Sequence, residues 1–381
     1  MSLGPLEGIR VVELCGWFTG PMTACILADQ GADVIKVEPP SGDPYRISGT
    51  TRGGHSASFM AANRNKRSIT LDIKQADQKE ILLKLIGRAD VFIQNSRPGA
   101  MDRLGLSAER LRAQFPRLIH TSISGFGQSG PYAGDGAYDM IIQALSGVMA
   151  IHTDQQGQPQ TVKTLLVDKL TPPIVAQAIT SALFRRERTG EGATLEYAML
   201  DGMVWWMWPD AMIHQTFIGD GVEGATAVSA VNMVYPTDDG FLVCSPHEDK
   251  DWAKFIEVVG RPELADNPLI STARGRRTNL HDFTKVMRES FGGRTTAEWC
   301  DLLREQGIPC APVLSPEEVR HHPQLIWNET VLEVEHPEAG RHRTVRAPVL
   351  FEGQANAVLR PAPAAGQHGD EILRELGVIP A

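Results

Sequence analysis

The sequence predicts an α/β protein with a mostly parallel central sheet. Short apolar segments rich in β-branched residues alternate with helical patterns along residues 9–124, and such alternation is typical of strands joined by crossover helices. The 381 residues are enough to bury a large core and suggest two or three domains. No apolar run reaches the ~20 residues that a membrane-spanning helix needs, so we expect no membrane partner.

The predicted elements follow one another as βαβ units. Strands are expected at residues 9–14, 32–38, 68–73, 89–94 and 118–124. Helices are expected at residues 21–30, 76–86 and 108–114. Ligands of open α/β sheets bind beyond the carboxyl ends of the strands, so the turns after these strands are the first place to seek a site.

The composition changes after Trp208, which predicts a second, smaller domain. Residues 217–227 carry glycines at 219, 221 and 224 and are expected to form a loop, and residues 234–244 have the pattern of a hairpin. Helices are expected at residues 250–259, 280–291 and 296–306. After Pro323 the chain becomes strand-rich again, before a short helix at residues 370–376.

Charge and cysteine content exclude several classes of protein. The net charge of -9 is spread along the chain, and no stripe of Lys and Arg with aromatics occurs, so nucleic acid is not expected as a partner. Five cysteines without a Cys-x-x-Cys spacing argue against a disulfide framework and a structural zinc site. The eleven histidines lack metal-ligand spacing. With no secretory pattern at its start, the chain is expected to be cytoplasmic, with no bound metal.

Asp168 is the candidate nucleophile. It follows Thr164-Leu165-Leu166-Val167, which predicts a strand, and precedes Thr171-Pro172, which predicts the start of a long helix. A helix N-terminus stabilises an anion by ~0.3 to 1 kcal/mol, so we expect Asp168 to be ionised. The alternative, which the residues alone favour, is that Asp168 is a cap or the ion-pair partner of Lys169.

Two other patterns bear on the ligand. Gly125 to Gly130 match the dinucleotide-binding fingerprint, but residues 131–136 prolong the loop where a Rossmann turn would open a helix, so we interpret the segment as an active-site loop. Basic residues cluster near the early strand ends and together suggest a phosphorylated ligand, although each alone is explained as surface charge. They are Lys36, Arg46, Arg64, Lys66, Arg67, Lys74, Arg97 and Arg103.

A series of segments spans nearly the whole chain and is specific when taken jointly. The segments are residues 6–13, 31–38, 63–72, 95–99, 122–128, 188–192 and 366–373. This series resembles the class III CoA-transferases, which include carnitine-type CoA-transferases, formyl-CoA transferase and α-methylacyl-CoA racemase. The resemblance implies an enzyme that moves CoA between an acyl-CoA and a carboxylic acid, with coenzyme A as a co-substrate and no tightly bound cofactor.

The resemblance also implies residue roles. Asp168 corresponds to the nucleophile that attacks the thioester and then carries CoA as an aspartyl thioester. The residues that correspond to the CoA-binding positions are Leu71 and Lys74 near the adenine, Asn95, Arg97 and Arg103 near the pantetheine and phosphates, and Tyr138 and Asp139 near the reacting centre.

The implied fold is a Rossmann-like large domain with a smaller inserted α+β domain, in an interlocked homodimer. We expect the large domain to comprise residues 1–210 and a completing segment at 330–381, with the small domain at 225–325. The sequence departs from the family pattern at Pro172, which replaces a glycine, at Pro39, which replaces an arginine, and at residues 219–224, where glycines are sparser.

Two rival functions remain open. A racemase of this family needs a base and an acid on opposite faces of the substrate, and Tyr138 stands where the racemase has a histidine. Because a tyrosine with a pKa of ~10 is a poor base at neutral pH, transfer is favoured over racemisation. A CoA-binding protein without catalytic activity is the other alternative.

The acyl substrate is not specified by these motifs. Trp205, Trp206 and Trp208, with Met203 and Met207, form either an aromatic wall for a bulky or cationic acyl group, or core and dimer contacts.

Overall fold

The computed structural model describes residues 4–154, 156–222, 231–352, 354–355 and 360–380. The chain divides into two compact units. Unit 1 comprises Met1–Trp206 and Gln324–Ala381, and unit 2 comprises Met207–Pro323. Within the described residues, no helix is long and apolar enough to span a bilayer.

Strands and helices alternate through the first part of the chain. The strands are β1 (Arg10–Leu14), β2 (Asp33–Glu38), β3 (Thr51–Arg52), β4 (His55–Ser56), β5 (Lys66–Thr70), β6 (Val91–Gln94), β7 (Ile119–Ser124), β8 (Ala193–Ala198), β9 (Val234–Pro236), β10 (Phe241–Cys244), β11 (Cys310–Pro312), β12 (Val331–His336), β13 (Gly340–Val345), β14 (Leu350–Phe351) and β15 (Gln354–Ala355). The helices are α1 (Thr19–Asp29), α2 (Ala57–Asn63), α3 (Ala76–Gly87), α4 (Ala100–Arg103), α5 (Ala108–Gln114), α6 (Asp139–Ser146), α7 (Val148–Ile151), α8 (Leu166–Thr189), α9 (Met199–Met207), α10 (Asp249–Val259), α11 (Ala273–Thr278), α12 (Leu280–Glu289), α13 (Thr296–Glu305), α14 (Pro316–Val319), α15 (Pro323–Trp327) and α16 (Gly369–Glu375).

Unit 1 is built on a six-stranded sheet in the order β5-β2-β1-β6-β7-β8, and every pairing is parallel. The inner strands are buried on both faces, which explains their continuous apolar sequences. The chain runs from β1 through β2 to β5 on one side and then from β6 to β8 on the other. The gap between the ends of β1 and β6 is therefore the topological switch point of the sheet.

The predicted α/β class with a parallel sheet is confirmed. The predicted strands and helices of the first 124 residues are present, with ends that differ by a few residues. The hairpin at 234–244 is β9–β10, and the later helical predictions correspond to α10, α12, α13 and α16. Of the loop predicted at 217–227, the segment 223–227 lies outside the described residues.

One predicted strand is wrong. Residues 164–167 do not form a strand that ends in a turn. Helix α8 already begins at Leu166, so Asp168 lies in the first turn of that helix. Thr171-Pro172 is not the helix start, since Pro172 and Pro173 lie within α8. Neither proline can donate a hydrogen bond to the carbonyl four residues earlier, so the helix passes through its second turn without bonds to the carbonyls of Asp168 and Lys169.

Five of the eight clustered basic residues are structural, so the phosphate hypothesis is wrong for them. Lys36 and Lys66 are fully buried and share Glu13 Oε1 at 3.3 and 3.0 Å. Lys36 also pairs with Asp43 at 2.8 Å. The other three are held by carboxylates in the same way, in the pairs Arg46 with Glu38, Arg64 with Asp29 and Arg67 with Asp33. A buried charge is tolerated only when it is paired.

The C-terminal segment of unit 1 packs beside β5. Arg67 pairs with Glu371 at 2.9 Å and Glu375 at 2.5 Å, both on α16. Ile372 is fully buried in the same core cluster as Val12, Ile35 and Ile69. Residues beyond 366 therefore complete the core that the parallel sheet begins.

Unit 2 has its own core. An antiparallel sheet in the order β11-β10-β9 packs with helices around a cluster of aromatic side chains. These aromatics are Tyr235, Trp252, Phe255, Phe283, Phe291 and Trp299. Such a cluster buries a large apolar area for its length, which suits a unit of this small size.

Candidate active site

A cavity of about 630 Å³ opens at the carboxyl ends of the parallel strands of unit 1. Its lining includes Trp17 after β1, Asn95 after β6, Gly125 after β7 and Met199 after β8. Asp168 also lines it. The cavity is thus where the strand-end rule predicts a ligand site, and it contains the candidate nucleophile.

Asn95 joins the two loops that separate at the switch point. Its Oδ1 accepts a hydrogen bond from the Gly16 N–H at 3.1 Å, and its Nδ2 donates to the Gly16 carbonyl at 2.8 Å. Both ends of the Asn95 amide are therefore bonded to the backbone of one residue, Gly16. The side chain fixes the loop after β1, which carries Trp17, against the end of β6.

Asp139 holds the segment that carries Asp168. The Asp139 side chain is 4% exposed, and its Oδ2 accepts from the N–H groups of Val167 at 2.8 Å and Asp168 at 3.1 Å. The residue before α8, Leu165, provides no side-chain cap. Asp139 therefore caps α8 from a distance in sequence, which explains why the helix begins before Asp168.

Gln143, one turn after Asp139 on α6, also holds the backbone that precedes Asp168. Its Nε2 donates to Asp139 and, at 3.3 Å, to the carbonyl of Thr164, while its Oε1 accepts from the Val162 N–H at 3.1 Å. Asp139 and Gln143 are spaced i, i+4 and so lie on one face of α6. Together they bind the backbone of residues 162–168 to that helix.

The Asp168 carboxyl group is partly buried, and this burial alters its pKa. Burial is the larger cause that raises its pKa from 3.8 to about 6, and the negative charge of Asp139 raises it further. With a pKa near 6 the side chain is still about nine-tenths ionised at pH 7. Lys169 is not its partner, since Lys169 Nζ donates to Thr164 Oγ1 at 2.6 Å. The cap-and-ion-pair alternative therefore does not describe Asp168.

Aromatic rings form one wall of the cavity. Trp17 and Tyr138 meet edge to face with ring centroids 6.5 Å apart, and Trp17 and Tyr45 lie 6.3 Å apart. The sequence suggested a different set of tryptophans for an aromatic wall. Of these, neither Trp205 nor Trp206 lines this cavity. Trp208 belongs to unit 2.

The glycine-rich segment is a loop, as the sequence analysis inferred. No helix follows Gly130 directly, and α6 begins only at Asp139. The loop folds back on itself, because a Cβ added to Gly125 would lie 2.0 Å from the Cβ of Ala137. Both residues line the cavity, so glycine at 125 is required by this close approach.

The residues predicted to bind CoA fall into two groups. Asn95, Tyr138 and Asp139 line the cavity with Asp168. Leu71, Lys74, Arg97 and Arg103 do not: Leu71 is buried in the core, and the three cations are exposed.

The exposed arginines nevertheless lie close to the cavity loops. A Cβ added to Gly136, next to the lining residue Ala137, would lie 3.5 Å from Arg97 Nη2. A Cβ added to Gly99 would lie 3.3 Å from Arg103 Nη1. The Arg97 guanidinium therefore lies beside the end of the glycine-rich loop, and the Arg103 guanidinium lies beside the turn that follows β6.

The sequence alone did not single out Trp17, Tyr45 or Gln143. Trp17 is an isolated aromatic in a turn, and Gln143 is an ordinary polar residue in a helix. Asp139 was assigned to the site by the resemblance, but no signal in the sequence indicated that its carboxylate caps α8.

Comparisons with known proteins agree on one family. The profile described as CoA-transferase family III matches residues 6–369. Succinyl-CoA:glutarate CoA-transferase of Homo sapiens is 30% identical over 379 residues, which cover 98% of this chain and 86% of that protein. Formyl-CoA:oxalate CoA-transferase of Streptomyces coelicolor is 33% identical over 407 residues, covering 99% of this chain and 97% of that protein.

A solved structure also resembles this chain over nearly its whole length. A CAIB/BAIF family protein from Brucella suis is 31% identical to this chain. It superposes with a TM-score of 0.84 and covers 98% of this chain and 100% of its own.

Proposed function

This chain belongs to CoA-transferase family III and transfers CoA between an acyl-CoA thioester and a carboxylic acid, and we propose that Asp168 carries the reaction as its covalent nucleophile. The observation that supports this role most directly is the placement of Asp168, ionisable and capped into position by Asp139, in the cavity at the strand ends.

The reaction is proposed to proceed through covalent intermediates on Asp168. The Asp168 carboxylate attacks the thioester carbonyl, the C–S bond breaks, and CoA leaves as a thiolate. The thiolate then attacks the aspartyl carbonyl of the mixed anhydride, which releases the first acid and leaves an aspartyl-CoA thioester. The acceptor carboxylate repeats these two steps in reverse, and Asp168 returns as a free carboxylate.

No step of this sequence consumes or releases a proton. Each attack is made by an anion, carboxylate or thiolate, and each step expels another anion. None of the described residues that line the cavity is a histidine or a lysine, which suits an exchange without general acid–base catalysis. Racemisation, by contrast, requires a base and an acid at one carbon.

The direct test is to trap the intermediate. The protein is incubated with acyl-CoA thioesters and then with hydroxylamine, and peptides are mapped by mass spectrometry. We expect a hydroxamate on Asp168. If CoA thioesters bind without any adduct, and deuterium from D2O enters the α-carbon of the acyl group, the racemase function replaces this one; binding without either change indicates a CoA-binding protein.

The pH dependence provides a second prediction. Because burial and Asp139 raise the pKa of Asp168 to about 6, the nucleophilic form is lost as the pH falls through that value. We expect kcat/KM for the acyl-CoA to be constant from pH 7 to 8 and to fall about tenfold per pH unit below pH 6. A profile that remains flat down to pH 5 would contradict the assigned role.

Arg97 and Arg103 are proposed to bind the phosphates of CoA, with Lys74 and Leu71 near its adenine. The support is the position of the two exposed guanidinium groups beside the loops of the cavity. Because the phosphates are far from the reacting carbonyl, each arginine to alanine change is expected to raise KM for the acyl-CoA about tenfold with little change in kcat. Lys84→Ala, an exposed cation on α3, is the matched control; an equal effect there would refute the assignment.

The interlocked homodimer, the domain bounds and the cytoplasmic location stay predictions of the sequence. We propose a homodimer on the basis of the family resemblance. Analytical ultracentrifugation of the intact protein at micromolar concentration tests it, and a monomer with full activity would exclude it.

A further inference from the structure

We propose that Asp43 is a positioning residue for the transfer reaction, because it fixes the loop between β1 and α1 that lines the cavity of Asp168. The loop comprises residues 15–18, of which Trp17 and Phe18 line the cavity. Asp43 itself is not among the described residues of the lining, so it acts through the backbone and does not touch the substrate. This inference rests on the proposed function of Asp168 and adds a residue on which its rate depends.

Asp43 joins two backbone segments that line the cavity. Its Oδ1 accepts a hydrogen bond from the backbone N–H of Trp17 at 3.1 Å and from that of Tyr45 at 2.9 Å. Trp17 follows β1 and Tyr45 follows β2, and both line the cavity with Asp168. The Asp43 side chain is fully buried, so water does not compete for these bonds. One carboxylate oxygen therefore holds the two segments together.

A fully buried ammonium group holds the carboxylate of Asp43. Lys36 Nζ lies 2.8 Å from Asp43 Oδ2, 3.0 Å from the carbonyl oxygen of Cys15 and 3.3 Å from Glu13 Oε1. Three oxygen partners match the three donors of an ammonium group. Lys36 therefore ties Asp43 to Cys15, the first residue of the loop.

A second buried ammonium group holds the other end of the same loop. Lys66 Nζ donates to the carbonyl of Pro21, in the first turn of α1, at 2.7 Å, to Asn63 Oδ1 at 2.9 Å and to Glu13 Oε1 at 3.0 Å. Because Lys36 and Lys66 share Glu13 Oε1, the charged groups form one network. This buried charge network comprises Glu13, Lys36, Asp43 and Lys66. It contacts the backbone at both ends of the loop and at its middle.

The loop has a conformation that depends on such support. The φ of Trp17 is +65°, in the left-handed region that residues with a Cβ rarely adopt. A conformation of this kind persists only where the surrounding contacts fix it, and it is often found at functional sites. Without the acceptor of Asp43, we expect the loop to relax from the geometry that places the thioester for attack by Asp168.

The charges of the network allow hydrogen bonding to be tested separately from charge. The four groups carry two negative and two positive charges, so removal of Asp43 alone leaves an unpaired buried ammonium group, which is strongly destabilising. Two double variants avoid this, Lys36→Met/Asp43→Ala and Lys36→Met/Asp43→Asn. Both leave Glu13 paired with Lys66. They differ because only asparagine retains an oxygen that can accept from the two backbone N–H groups.

The first turnover of Asp168 measures folding and positioning separately. Acetyl-CoA, propionyl-CoA and succinyl-CoA are each mixed in saturating excess with the intact protein, without an acceptor acid, and the adduct is followed by quenched-flow mass spectrometry. The thioester that loads the wild-type protein fastest is used for all variants. The amplitude reports the fraction of competent protein, and the rate constant reports the geometry within that fraction. Binding of CoA is measured by calorimetry.

We expect Lys36→Met/Asp43→Ala to lower the loading rate constant about 100-fold while the Kd for CoA stays nearly constant. Lys36→Met/Asp43→Asn should load about tenfold faster than the alanine variant, because the acceptor is restored. The matched control is Asp29→Ala/Arg64→Met, which removes another buried ion pair of unit 1 outside the cavity lining. It should lower the stability and leave the loading rate constant unchanged.

The outcomes separate the role of Asp43 from that of Asp168. Equal rate constants in the two double variants, an equal loss in the control, or a fall in amplitude alone would overturn the positioning role and leave the nucleophile intact. Asp43→Asn alone, which preserves the shape of the side chain, is measured where a double variant does not fold, and an unchanged rate constant there would also overturn it. If none of the three thioesters loads the wild-type Asp168 although they bind, the proposed function itself fails.

Discussion

Asp168→Asn is expected to lower kcat/KM for CoA transfer by a factor of about 10³ or more, since an amide can neither attack the thioester nor carry CoA. The measurement is steady-state transfer between an acyl-CoA and an acid, with CoA binding followed separately by calorimetry. Binding should be nearly unchanged, because the adenine and phosphates are expected to lie away from residue 168. Asp201→Asn, an exposed carboxylate on α9, is the matched control.

The same substitution should make the protein more stable. A carboxyl whose pKa is raised from 3.8 to about 6 on folding is destabilising when ionised, so the cost is absent below pH 4 and fully present above pH 6. At pH 8 we expect Asp168→Asn to raise the free energy of unfolding by ~1 to 3 kcal/mol, and at pH 4 to leave it nearly unchanged. Retained activity, or a loss of stability at pH 8, would contradict the account of this residue.

The second large effect is expected at Asp139. Asp139→Ala removes the acceptor for two backbone N–H groups at the start of α8 and one partner of the buried Gln143, and should lower the free energy of unfolding by ~1 to 3 kcal/mol. Because the first turn of α8 carries Asp168, we expect kcat to fall about 100-fold with KM for the acyl-CoA unchanged.

Asp139→Asn separates the position of Asp168 from its charge environment. Asparagine keeps one oxygen that can accept from the α8 amides, so less stability should be lost than in the alanine variant. It also removes one of the two causes that raise the pKa of Asp168, so the acid limb of the kcat/KM profile should move to lower pH. Leu145→Ala, exposed on the same helix, is the control; if it lowers kcat as much, Asp139 is not a positioning residue.

The parallel sheet was predictable because its inner strands are buried on both faces and leave continuous apolar runs in the sequence. β8 left no such run: it alternates partly buried and exposed residues at the edge of the sheet, and its Thr194 and Glu196 are exposed. The periodicity that identifies a strand therefore depends on where in the sheet the strand lies.

Site residues could be predicted from the sequence only where they belong to a local sequence motif. Asp168 could be selected from the sequence and the family resemblance, but the start of α8 could not, because its cap comes from Asp139, 28 residues earlier. Trp17 escaped notice for a related reason. Its role arises from two rings that the fold brings beside it, Tyr45 and Tyr138, and local sequence contains no trace of that proximity.

The pairing of Arg67 with Glu371 and Glu375 has a consequence for synthesis on the ribosome. A nascent chain that has emerged only as far as residue 340 contains every strand of the six-stranded sheet, yet Arg67 has Asp33 alone as a counter-ion and the core lacks Ile372. The first part of unit 1, residues 1–206, therefore lacks these contacts while unit 2 is translated. The segment that closes the earliest part of the chain is thus translated only after unit 2.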